Sequence, residues 1–138
     1  MTYNIAVWDG PKPADDATAM QVFLAMHEAA ASSWDAPTTR MEVYVQALLA
    51  RWPDIDDDET DSSPWADGPI LNNATGPFFY TSLRPSMADN AIVYCARVAT
   101  EHGLVCFDPQ QERLVTADAT LVARLRARVG PVFRSLGG

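Results

Sequence analysis

Between Asp54 and Asp67 the chain places seven acids (Asp54, Asp56, Asp57, Asp58, Glu59, Asp61 and Asp67) and no lysine or arginine. Like charges packed this closely repel one another and gain little from burial. The run has neither helical nor strand periodicity, so no core element passes through it. It has to be a solvated loop, and it divides the apolar segments into a group before it and a group after it. Trp52 and Trp65 bracket the run.

Before the loop, Tyr3 to Trp8 (YNIAVW) reads as a strand closed by Asp9-Gly10-Pro11. Asp15 or Asp16 then caps a helix to about Ser32, with Ala19, Val22, Phe23, Met26 and Ala30 on one face. Thr39-Arg40-Met41-Glu42 fits a capping box. The helix after it turns Met41, Tyr44, Val45, Leu48, Leu49 and Trp52 to one side until Pro53 stops it.

After the loop, Ile70-Leu71 and Pro77 to Leu83 read as two short strands, with Asn72, Asn73 and Gly76 as turn formers. Pro85-Ser86 opens a third helix, with Asp89 as partner in a second capping box. Ala88, Ala91, Ile92, Cys95, Val98 and Ala99 form its inner face, and Gly103 ends it. Leu104 to Phe107 is a strand, Gln111 to Thr116 extends as an edge, and Ala119 to Val129 forms a C-terminal helix. The order β-α-α-β-β-α-β predicts one α+β domain over residues 1–138: a ferredoxin-like (split βαβ) antiparallel sheet with helices on one face, plus that C-terminal helix. The first and last strands are expected side by side and parallel.

Charge narrows the function. The net charge of −8 argues against a nucleic-acid partner and against an anionic membrane surface, both of which select clustered lysine and arginine. The four arginines Arg124, Arg126, Arg128 and Arg134 fall in the last twenty residues, which hold no acid. They either pair with the molecule's own loop or face a partner. No apolar run reaches the length of a membrane span, and the first ten residues do not read as a signal peptide. Cys95 and Cys106 are therefore expected as reduced thiols in a cytoplasmic protein. One lysine against nine arginines, with abundant alanine, suggests a GC-rich bacterial genome.

Chemistry finds little purchase. Asp54, Asp56 and Asp58 alternate as in a calcium loop, but Glu59 stands where such a loop needs glycine and Trp65 where it needs a bidentate glutamate. His102 and Cys106 suggest a thiol and its base, yet four extended residues separate their Cα atoms by about 13 Å. His27 among alanines reads as a surface residue. Asp9 and Asp108 each follow a strand, and parallel neighbours would bring both carboxylates to one edge. The simpler reading is two turn formers. A pocket at the strand ends made by Trp8, Asp9, Tyr80 and Asp108 is the alternative, small-molecule or enzymatic, function. No phosphate loop, dinucleotide fingerprint, nucleophile elbow or CxxC occurs, and no cofactor or metal is implied. A third possibility is a subunit that dimerises through an open sheet.

The stretches YNIAVWDGPKPADDA, YVQALLARWPDIDDD with SPWADGPI, and EHGLVCFDPQQERL together resemble a group of small, acidic, uncharacterised actinobacterial proteins whose members look like immunity proteins of bacterial toxin systems. The resemblance runs to about Leu114 and carries no catalytic residues. It implies a cytoplasmic inhibitor that occludes a toxin's active site. Residues and resemblance agree on a non-enzymatic binding protein, monomer or homodimer, that meets a basic toxin such as a nuclease. The contact set expected from the sequence is Asp54, Asp56, Asp57, Asp58, Glu59, Asp61, Trp65 and Asp67, with Trp65 as the aromatic anchor.

Overall fold

A computed structural model describes residues 2–55 and 62–116. The expected C-terminal helix lies outside the described residues. Five strands form one antiparallel sheet: β1 (Tyr3–Trp8), β2 (Ala74–Thr75), β3 (Phe78–Leu83), β4 (Val105–Asp108) and β5 (Arg113–Leu114), in the spatial order β2-β3-β1-β4-β5. Three α-helices complete the α+β domain: α1 (Asp16–Ser32), α2 (Thr39–Arg51) and α3 (Ala88–Glu101).

β1 sits at the centre and is buried on both sides from Ile5 to Trp8. Side chains alternate across a strand, so Ile5 and Val7 face one layer while Ala6 and Trp8 face the other. The first pair joins a core made with α2 and α3, including Met41, Tyr44, Leu48, Ile92 and Cys95. The second pair packs with Phe78, Val105 and Phe107 under Ala19 and Phe23 of α1. Helices therefore cover both faces, not one. The signal lies in the sequence: IAVW and LVCF are unbroken apolar runs, the mark of strands buried on both sides.

β1 and β4 are neighbours, as expected, but they run antiparallel, with Ala6 opposite Phe107 and Trp8 opposite Val105. Asp9 and Asp108 consequently stand at different levels of the sheet, one beyond Trp8 and the other past Phe107. At about 3.3 Å per residue that is about 13 Å along the strand direction. The parallel pairing that would have joined them does not form.

Smaller differences have local causes. Ile70–Asn73 is a 3-10 turn, not a strand, and the hairpin starts at Ala74. Its two-residue turn opens on Gly76 at φ 53°, where a side chain would be strained. α2 is capped by Thr38, whose hydroxyl accepts the Met41 N–H (3.2 Å), one residue ahead of the expected box. α3 begins at Ala88, behind a 3-10 turn over Pro85–Met87 and with no side-chain cap at Met87. It ends as expected: Gly103, at φ 70°, donates to the Thr100 carbonyl, and Leu104 donates to that of Ala99. These two bonds make a Schellman closure.

The sheet is not open. On the β2 edge, the Trp34 indole N–H donates to the Ala74 carbonyl (3.1 Å) and the Gly76 N–H to that of Asp35 (3.1 Å). On the β5 edge, Asp16 accepts the outward Leu114 N–H (2.9 Å). Side chains and linker occupy positions that an added strand would need at either edge.

Candidate functional site

The acidic loop leaves and rejoins the fold through a closed stem. α2 ends at Arg51 with Trp52 as its C-cap, and the indole N–H of Trp65 donates to the Trp52 carbonyl (2.9 Å), which ties the two ends together. The rings meet edge to face at 6.1 Å. The returning strand is held by Ala66 N–H to Ser82 (2.9 Å), by Arg84 N–H to Pro64 (2.8 Å), and by the Arg84 guanidinium to the Ser63 carbonyl (3.0 Å). Asp54 accepts the Ile70 N–H (2.8 Å), and Asp67 accepts the Asn73 side-chain amide (3.3 Å).

The expected contact residues thus separate into two jobs. Asp54 and Asp67 fasten the ends of the loop. Trp65 is 0% exposed and belongs to the core beside Leu83, so it is not the exposed anchor that the sequence suggested. Asp56, Asp57, Asp58, Glu59 and Asp61 lie outside the described residues.

The aromatic surface beside the loop is supplied by Trp52 instead. Trp52 is half-buried against Tyr94 of α3, the rings at 5.1 Å and nearly perpendicular. Arg51 lays its guanidinium over Trp52 (4.5 Å to the ring centre), and Arg97 lays its own over Tyr94 (5.1 Å). Together with Pro64, Ser86, Met87 and Asn90 these four line a groove of about 410 Å³ at the foot of the loop. Arginine, aromatic residues and methionine are the side chains that protein interfaces favour. The α3 side of the groove carries a sequence signal. Met87, Asn90, Tyr94 and Arg97 recur at three- and four-residue spacing, the complement of the apolar stripe that packs α3 inward.

The strand-end pocket does not assemble. Trp8 is buried under α1, and its indole N–H has no partner among the described residues. Asp9 pairs with Arg40 (3.5 Å) at the surface. Tyr80 packs against Phe23 and His27 on the α1 side, where burial pushes its hydroxyl pKa up. Asp108 is buried and accepts from the Tyr3 hydroxyl, from the Gln110 backbone (2.9 Å) and side chain (2.8 Å), and from Gln111 N–H (3.2 Å). That is turn-forming work at the β4–β5 corner.

Both thiols are buried. Burial pushes Cys95 up to about 12, against a lowering from its contact with Tyr44, and drives Cys106 well above its ordinary range. Neither carries thiolate at neutral pH, and only thiolate is nucleophilic. His102 meets the Tyr44 ring edge-on at 6.2 Å. Among the described residues no three potential ligands gather as for a metal ion, and no helix is long and apolar enough to cross a membrane. Comparison with known protein families, curated proteins and solved structures finds no match for this chain.

Proposed function

We propose that the protein works by binding a basic protein partner, and that it is a cytoplasmic immunity protein or antitoxin whose acidic loop occludes the active site of a toxin such as a nuclease. The observation that carries this reading is the loop's construction. Its stem is locked by Trp52 and Trp65, while its acids are concentrated between two fixed ends. A rigid stem lowers the ordering cost of binding, and the opposed charge speeds encounter. The groove of Arg51, Trp52, Tyr94 and Arg97 supplies an aromatic surface at the loop's foot. In this reading the strand order β2-β3-β1-β4 with α2 and α3 is a split βαβ plan, and α1 is an addition on the opposite face.

The test is size-exclusion chromatography of the chain mixed with the toxin encoded beside its gene, at low ionic strength. A stable complex is expected, and it should be lost when Asp56, Asp57, Asp58, Glu59 and Asp61 are replaced by their amides. Separate elution of the unaltered protein and toxin at low salt would defeat the proposal.

A further inference from the structure

In a chain with eighteen acids, the described residues that line the groove at the foot of the loop include two arginines and no acid. Among the described residues neither Arg51 nor Arg97 has a carboxylate partner, whereas Arg40 pairs with Asp9. Each guanidinium instead lies over an aromatic ring, Arg51 on Trp52 and Arg97 on Tyr94. A guanidinium resting on an aromatic ring gives up none of its N–H donors to it, and those donors suit bidentate recognition of a carboxylate. Trp52 and Tyr94 are themselves in contact, so the two cations are set by one continuous aromatic unit.

We infer that this groove receives a carboxylate carried by the partner. The loop acids begin two residues beyond Trp52 and repel any ligand that is acidic throughout. The ligand is therefore a polypeptide segment in which one Asp or Glu is surrounded by basic residues. This rests on the reading of the loop as a docking surface for a basic protein, and adds what that protein must present. An acidic side chain within a cationic cleft is also what acid-base and metal-dependent hydrolysis require. Engaging it fixes the register of a contact that net charge alone would leave loose.

The test uses two short lysine-rich peptides that differ only at the centre, Glu in one and Gln in the other, titrated against the whole chain by calorimetry. Net charge predicts that the Gln peptide, being more positive, binds this acidic protein better. The groove predicts the reverse, a preference of about tenfold for the Glu peptide. The preference should vanish in the Arg51→Gln/Arg97→Gln variant while both peptides still bind through the loop. It should survive only in part in the Arg51→Lys/Arg97→Lys variant, which keeps the charge and loses the fork. Equal binding, or a preference for Gln, would overturn the carboxylate site and leave the docking loop standing. If neither peptide bound at low salt, the docking surface and the carboxylate site would fall together. A Glu preference that appeared only after the loop acids were replaced by amides would make the chain's own loop the occupant, and would overturn the inference.

Discussion

Replacing Trp65 with alanine separates two roles for this residue that look identical in the sequence. A tryptophan beside a charged loop is either an exposed anchor or a plug, and the structure makes it a plug with 0% exposure. An indole buries about 200 Å² of surface. At about 25 cal/mol per Å² that is worth about 5 kcal/mol. Compactness of the unfolded chain cuts this to about 3–4.5 kcal/mol. Loss of the 2.9 Å hydrogen bond to the Trp52 carbonyl adds about 1 kcal/mol. The total, about 4–5.5 kcal/mol, overlaps the upper part of the usual cost of about 3–5 kcal/mol for truncating a core aromatic.

Urea unfolding followed by circular dichroism reads this directly. With a slope of about 1.5 kcal/mol per molar, the midpoint should fall by about 3 M. Trp65→Phe keeps most of the apolar area and loses the N–H donor, so it should fall by about 1 M. A surface anchor would behave otherwise, shifting stability by less than about 0.5 kcal/mol. A midpoint for Trp65→Ala that matched the unaltered protein would refute the closed stem.

Four further outcomes follow from other parts of the fold. Tyr44→Phe removes the buried hydroxyl that donates to the Cys95 carbonyl (2.9 Å) and ties α2 to α3, so it should lower unfolding free energy by about 1 kcal/mol in the same urea assay. Gly103→Ala places a side chain at φ 70° and should cost about 1 kcal/mol, read as a lower melting temperature. The buried thiols, with pKa values pushed up, should resist iodoacetamide at pH 7.5 and react fully in denaturing urea; rapid labelling of the native chain would contradict their burial. Hydrogen bonds from Thr18 hold the Asp15 carboxyl below its ordinary pKa, so its capping contribution is present at neutral pH and lost as pH falls through that depressed value. Asp15→Asn should therefore flatten the acid limb of stability against pH.

How far the sequence reaches can be judged residue by residue. The three helices, the inner face of α3 and the Gly103 closure were legible, because periodicity and left-handed glycine act locally, whereas Ile70-Leu71 read as a strand and is a 3-10 turn. The second helical layer was missed because α1 buries only Ala19 and Phe23, too few to show which face it covers. The strands carried that information in their unbroken apolar runs. Strand direction was not legible: Asp9 and Asp108 look equivalent in the sequence, and only the antiparallel register of β1 and β4 sets them apart. The interface was half legible. Loop acids announce themselves by composition, whereas the exchange of roles between Trp52 and Trp65 depends on a hydrogen bond across the stem. Arg51 and Arg97 are far apart in sequence and become one groove only when α2 packs against α3.

The dependence of toxin affinity on salt, measured for the unaltered chain and for the variant with amides at Asp56, Asp57, Asp58, Glu59 and Asp61, puts the docking claim to its most direct trial. The unaltered chain should lose affinity steeply as ionic strength rises, and the variant should bind weakly with little salt dependence. Matching affinities and matching salt slopes for the two proteins would mean that the acidic loop is not where this molecule meets its partner.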